Sequence, residues 1–271
     1  MPAKYSMLSA GFVGTVNKAS LSSTELGKFE SITVEPKISP EVVLQQRYYA
    51  ETAEKYDEMH VHARDEHYFA LCIMLAAVDF LGVKSILEIG SGTGRAIGYM
   101  KTMRPHILIR GVEPVKELRE IAYSKGISPT ELADGDALAL QFDANQFDMV
   151  CEFGVLHHIK TPERAIAEML RVANKAIFIS DSNNFGQGSW FARTVKQIID
   201  MLGLWPLANL VKTRGRGYSI SEGDGLAYSY SVFTNVAQIK RQCKSIHFFN
   251  TGDAGGNLYR TAGHVGLIGV K

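Results

Sequence analysis

A short apolar run that ends in three glycines at alternate positions constrains this chain more than any other feature: Ile86-Leu87-Glu88-Ile89-Gly90-Ser91-Gly92-Thr93-Gly94-Arg95. Ser85 to Ile89 reads as a strand, and glycines directly after it allow a tight turn where backbone must approach a ligand closely. Apolar runs recur at Ile107 to Val112, Phe147 to Cys151 and Ala176 to Ser180. Helical patterns lie between them at Ala96 to Met103, Val115 to Ser124 and Pro162 to Val172, the last with Thr161 as expected N-cap, Pro162 at the first helical position and Glu163 in the first turn. Strand, helix, strand in repetition predicts a parallel sheet with helices on both faces. Ser245 to Phe249 and His264 to Val270 follow without a convincing helix between them, which predicts a closing hairpin.

The flanks of this alternation are less regular. Residues 1–37 show no sustained period and close on Pro36 and Pro40, so they read as a loosely ordered extension. Two helices are expected next, with Val42, Tyr49, Ala53 and Tyr56 on one face of the first, and Phe69, Ile73, Ala76 and Phe80 on one face of the second. Residues 38–271 would then form one domain, interrupted at 182–240 by an insert with an amphipathic helix around Trp190 to Leu202, the basic loop Lys212, Arg214, Arg216, and Tyr218, Tyr228 and Tyr230 around the Gly-rich acidic turn Ser221 to Gly225.

With 46% hydrophobic and 21% charged residues in 271, a wholly disordered chain is excluded. A formal charge of +1 supplies no general attraction to nucleic acid or to an anionic membrane, so neither is an expected partner. Cys72, Cys151 and Cys243 are odd in number and lack metal-type spacing, which fits a reducing cytoplasm. No leader-type h-region follows Met1, and no apolar run is long enough to span a bilayer.

Spacing sharpens the glycine turn. Glu113 ends the second strand 23 residues after Gly90, where a carboxylate can accept hydrogen bonds from both ribose hydroxyls. Gly135-Asp136-Ala137 follows the third strand candidate, offering a carboxylate to an exocyclic amine and a small side chain to a flat base. The glycines do not follow the G-x-G-x-x-G dinucleotide pattern, and the acid Glu88 before them suits a cationic, amino-acid-bearing ligand better than a pyrophosphate.

Together with Phe147-Asp148-Met149-Val150 leading to Val155-Leu156-His157-His158-Ile159, these motifs resemble the class I S-adenosylmethionine-dependent methyltransferases, in their small-molecule (type 11-like) branch. The resemblance covers roughly Tyr49 to Ser180. It implies a Rossmann-like α/β fold, a seven-stranded, mostly parallel sheet with an antiparallel last strand; the insert, which carries no assignable motif, would stand between strands 5 and 6 as a lid. It also implies S-adenosyl-L-methionine as cofactor: Glu88, Gly90, Ser91, Gly92 and Gly94 around the methionine part, Glu113 and Pro114 at the ribose, Asp136 and Ala137 at the adenine, Glu152 and Phe153 beneath the sulfonium, and Tyr49 or Tyr56 closing over it.

Methyl transfer mainly needs alignment and exclusion of water, with a base if the acceptor is a hydroxyl. His157 and His158, just beyond strand four, are the candidates; one of them can equally be structural, and His157 stands first after the strand. The insert aromatics are expected to form a lid or a satellite core. His60, His62 and His67 read as solvated. Glu152, Asp181 and Asn183 do not reproduce an adjacent Asp-Asn magnesium pattern, because Ser182 intervenes, so no metal is expected. The leading expectation is methylation of a small metabolite, at oxygen, such as a sugar or secondary metabolite, by a monomer or homodimer. The alternatives are an RNA methyltransferase, disfavoured by charge and by Glu152-Phe153-Gly154-Val155 in place of an Asn-Pro-Pro-Tyr-like tetrad, and a non-catalytic cofactor-binding protein; an NAD-binding oxidoreductase ranks last.

Overall fold

The computed structural model describes residues 39–62, 64–252 and 256–271; the extension expected over 1–37 lies outside them. The chain enters through α1 (Pro40–Thr52), capped by the Ser39 hydroxyl, which accepts from the Val42 amide. A 3₁₀ turn over Ala53–Lys55 leads into α2 (Tyr56–His60), then α3 (Glu66–Phe80) begins with the Asp65 carboxylate accepting from the Tyr68 amide at 2.7 Å. Tyr49, Ala53 and Tyr56 do share a face, packed on Val115 and Leu118, but Val42 is exposed.

The expected face of α3 is wrong. Ala70, Leu71, Met74, Leu75 and Val78 are buried, while Phe69 and Phe80 are exposed, the latter at 89%. Nearly every residue from Phe69 to Val78 is apolar, so periodicity had no polar side against which to choose.

The alternating segments become β1 (Ser85–Ile89), α4 (Arg95–Met103), β2 (Leu108–Val112), α5 (Lys116–Ser124), the two-residue β3 (Leu132–Ala133), β4 (Phe147–Phe153), α6 (Pro162–Val172) and β5 (Ala173–Ser182). Pro162 stands in the first turn of α6 as expected, but the Thr161 side chain makes no capping bond. Within the insert lie α7 (Trp190–Met201), α8 (Trp205–Lys212) and an unforeseen antiparallel pair, β6 (Tyr218–Ser221) and β7 (Gly225–Tyr228); α9 (Val236–Lys240) follows. The hairpin of β8 (Ser245–Asn250) and β9 (His264–Val270) finishes the sheet.

The seven strands run in the order β3-β2-β1-β4-β5-β9-β8, parallel through β5 and antiparallel where β9 meets β5 and β8. Alternate side chains sort to the two faces as a period of two requires. Leu87, Ile89, Val150, Ile177 and Ile179 pack with α6, and Ile86, Met149, Cys151 and Phe178 pack with α3 and α4. Ile89 pairs with both Val112 and Glu152, so β1, β2 and β4 end together and their following loops share one edge, where open α/β sheets bind ligands. No helix among the described residues is long and apolar enough to cross a membrane.

Candidate active site

At that edge the glycine turn is fixed by backbone geometry. Gly90, Gly92 and Gly94 have φ of +65°, +52° and +76°, a region costly for residues with a Cβ. The Gly90 and Ser91 amides donate to the Val112 carbonyl at 2.8 and 3.1 Å, tying the turn to β2. Gly92 leaves room for the Tyr56 hydroxyl, which would lie 2.9 Å from an added Cβ. Gly94 has a different reason: a Cβ there would strike Ile127, so this glycine permits packing between α4 and its neighbours.

A cavity of about 500 Å³ opens beside the turn, with Glu88, Gly90, Ser91, Tyr49, Tyr56 and Phe153 in its wall. Glu88 is 3% exposed, and its Oε2 atom is buried without a hydrogen-bond partner. Burial, helped by the nearby Glu113 charge, pushes its carboxyl up to about 8. A buried, unpartnered carboxyl oxygen at a cavity wall fits a cationic amino group.

Glu113 is buried as well, with Oε2 accepting from the Gly92 amide and Oε1 from the Val115 amide, both at 2.9 Å. Pro114 and Asp136 are exposed beyond the cavity; Asp136 accepts from the Leu138 amide, and Ala137 packs on the core below. Glu152 departs from its expected place beneath the cofactor. It is fully buried outside the cavity wall, one oxygen accepting from the Val155 amide and the other from the Ser180 amide, so it fastens the turn after β4 to β5.

The two histidines separate clearly. His157 lines the cavity; its Nδ1 lies 2.7 Å from Asp181 Oδ1, and its Nε2 lies 3.3 Å from Asp224 Oδ2, at the turn between β6 and β7. Asp181 has no exposure and is oriented by the Leu156, His157 and Ser182 amides. Burial disfavours the imidazolium, but Asp181 and then Asp224 outweigh it and hold His157 well above its ordinary value. His158 stands outside the cavity wall: Nδ1 donates to the Leu226 carbonyl at 2.6 Å, and Nε2 lies 2.9 Å from the Tyr49 hydroxyl and 3.5 Å from Asp224 Oδ1. It links α1 to β7.

Two histidines join without warning from the sequence. His60 and His67, expected to be solvated, both line the cavity, and each has one buried ring nitrogen without a partner. His67 stacks edge-on against His264 at 4.8 Å, and burial lowers the pKa of both rings, His264 to about 3. His62 is exposed at the same cavity's wall. From the insert, Tyr218, Tyr228, Tyr230 and Lys212 line the cavity, whereas Trp190 points outward, and Trp205 donates to Ser229 and packs against Phe185. Asp181 was findable from its place at the end of a strand. Asp224 was not, because its partner His157 lies 67 residues away and only the hairpin's fold brings them together.

Residues 87–178 match the family model for a methyltransferase domain. An uncharacterized methyltransferase of Bacillus subtilis (strain 168) is 28% identical over 132 residues, 47% of this chain; the match spans 60% of that relative's length. A magnesium protoporphyrin IX methyltransferase from Synechocystis PCC 6803, solved with bound SAH, superposes with a TM-score of 0.54 at 13% identity, covering 86% of this chain and 100% of that one. A SAM-dependent methyltransferase from Thermotoga maritima, described as a possible histamine N-methyltransferase, gives 0.52 at 18% identity, covering 84% and 99%. At such identities the solved structures show a common fold. Residues 87–178 thus match a methyltransferase domain, and they lie within a fold that the chain shares with solved S-adenosylmethionine-dependent methyltransferases.

Proposed function

We propose that the protein transfers a methyl group from S-adenosyl-L-methionine to a hydroxyl of a small-molecule acceptor, a sugar or another secondary metabolite. The observation that carries this reading is the pairing, within one cavity, of an unpartnered acid at the glycine turn with a histidine held by a buried aspartate. Glu88 would receive the cofactor's ammonium group, Gly90 and Ser91 its methionine backbone, and Glu113 its ribose once the Gly92 contact is shared. Tyr56 lies over the turn, and its ring can face a sulfonium. When bound, the cofactor supplies an electrophilic methyl carbon.

His157 would act as base. Asp181 fixes Nδ1 as the protonated nitrogen, which leaves Nε2 to accept the acceptor's hydroxyl proton as the new C–O bond forms and the C–S bond breaks, its electron pair remaining on sulfur. Asp224 now sits where that hydroxyl must come and favours a proton on Nε2, so acceptor entry displaces it, and Nε2 releases that proton to solvent before it takes the hydroxyl's. The insert then acts as lid, its tyrosines forming the acceptor's wall. His158 positions Tyr49 and β7, touching no reacting atom.

No metal is assigned. Among the described residues His157, His158 and Asp224 have ligand atoms within 4.8 Å of one another, but Tyr49 already engages His158 Nε2. Turnover is expected to survive EDTA. A calorimetric titration with S-adenosylmethionine, S-adenosylhomocysteine and NAD tests the cofactor first: micromolar binding of the first two is expected, and preference for NAD overturns the reading. A hydroxylated-acceptor screen with the loaded protein follows, read as S-adenosylhomocysteine released.

A further inference from the structure

Helix α7 is built inside out. Its polar side chains face the protein: Lys196 donates to the Asn184 and Gln187 carbonyls, Gln197 to those of Phe185 and Arg260, and Asp200 accepts from the Tyr259 hydroxyl at 2.6 Å. Its large apolar side chains face solvent. Trp190, Phe191, Ile198, Met201 and Leu202 are exposed, Trp190 at 73% and Met201 at 78%, and the helix buries no residue. Helix α8 continues the surface with Leu207, Leu210 and Val211, while its Asn209 and Lys212 line the cavity. Scattered exposed hydrophobics are ordinary, but two adjoining helices turning a contiguous apolar side to water require a cover.

Charge identifies the cover. Between Gly188 and Gly217 the chain carries Arg193, Lys196, Lys212, Arg214 and Arg216 against the single acid Asp200, although the whole protein is nearly neutral. Among the described residues none of the five is in an ion pair; Lys196 is spent on carbonyls of the protein and Lys212 reaches the cavity, while Arg214 and Arg216 are exposed just past the end of α8. An apolar helical surface with Trp and Phe, edged by unpaired cations, is the chemistry that settles into the headgroup layer of an anionic bilayer.

We propose that α7 and α8 dock the protein on an anionic lipid surface. The near-neutral total charge, from which no membrane partner was expected, averages away this local excess. Docking stands apart from the methyltransferase reading. If both hold, the acceptor wall of the cavity lies next to the bilayer, and acceptors carried on a lipid become accessible.

The test is flotation of the full chain with phosphatidylcholine vesicles, with and without phosphatidylglycerol, at low and high salt. Binding is expected only to the anionic vesicles, weakened by salt, with a blue shift of Trp190 fluorescence that a Trp190→Phe variant removes. Trp190→Ser combined with Met201→Ser is expected to weaken partition more than about tenfold, and Arg214→Ser with Arg216→Ser about fivefold for each charge removed. All variants are surface changes, and retained S-adenosylmethionine affinity in the same samples reports an intact fold; its absence in the parent protein would count against the methyltransferase reading alone. Three results overturn docking. One is no flotation, or flotation indifferent to these variants. Another is a concentration-dependent dimer abolished by Trp190→Ser with Met201→Ser, which makes a second copy the cover. The third is a Trp190 already shielded from acrylamide in the vesicle-free monomer, which makes it the chain's own remaining residues.

Discussion

The two walls of the cavity are made by different means. On the proposed cofactor side, β1 and its glycine turn place Glu88, Gly90 and Ser91 within four consecutive residues, and the positive φ of Gly90 and backbone bonds to β2 fix the turn. On the proposed acceptor side His157, Asp181 and Asp224 come from three segments; β4 and β5 are paired up to Phe153 and Ser180, but the His157 ring meets Asp181 and Asp224 through side chains, and the Asp224 side chain is 45% exposed on a hairpin turn. A wall fixed by backbone tolerates side-chain substitution without moving; a wall of side chains changes shape with each one. The difference teaches that substitutions on one side should change affinity and on the other turnover, and variants can break that division.

The largest effect is expected at His157. His157→Ala should lower kcat by about 10²–10⁴-fold, the span of a general base, with cofactor affinity within about twofold. Asp181→Asn should approach the same loss, since an amide stabilises the imidazolium poorly and permits the wrong tautomer. A fall in cofactor affinity equal to the fall in kcat would erase the distinction between the walls.

Glu88→Gln should act in the opposite sense, weakening S-adenosylmethionine binding by about 10- to 100-fold, the worth of a hydrogen bond to a charged group. It has a second readout with a definite sign. With the Glu88 carboxyl raised to about 8 from an ordinary 4.5, the folded protein holds a proton that the unfolded chain releases. Ligand-free stability therefore falls as pH rises from about 4.5 through 8. The Gln variant lacks that loss, so its ligand-free Tm should exceed the parent's at alkaline pH by several degrees and match it near pH 4.

The same division decided what the sequence could reveal. The strand-helix alternation, the closing hairpin and the glycine turn rest on local periodicity and on backbone rules that act over a few residues, and they were legible; the antiparallel last strand came from the family resemblance. So was the candidacy of His157 and His158. Which histidine faces the cavity was not, because it depends on Asp181 meeting one ring and Leu226 the other. The exposed face of α3 was misread for want of a polar contrast. Glu152 carries the right residue type at the right strand end, yet two backbone amides claim both its oxygens. In α7 the amphipathic pattern was plain, but the assumption that an apolar stripe faces inward fails there.

A smaller effect is expected at His158, and on stability more than on chemistry. His158→Ala leaves the Leu226 carbonyl and the Tyr49 hydroxyl without their partner, which costs about 1–3 kcal/mol for groups shielded from water. Tm should fall accordingly, and KM for both substrates should rise more than kcat falls. A kcat loss as large as that of His157→Ala would show that both rings take part in proton transfer.

The smallest effect is the most discriminating. Asp224 helps to hold His157 charged, so the pair's contribution to stability is complete below about 6.5 and is lost as pH rises through the higher folded value. In Asp224→Asn the folded value drops towards that of the ring with Asp181 alone. The Tm difference between parent and variant should therefore be greater at pH 6 than at pH 10. Kinetics then separates the free from the loaded protein, because kcat/KM reports groups in the first and kcat those in the complex. If the acceptor displaces Asp224, the acid limb of kcat/KM moves to lower pH in the variant while that of kcat stays in place. Movement of both limbs together would mean that Asp224 remains on His157 through turnover, and that the hairpin is part of the catalytic wall instead of its gate.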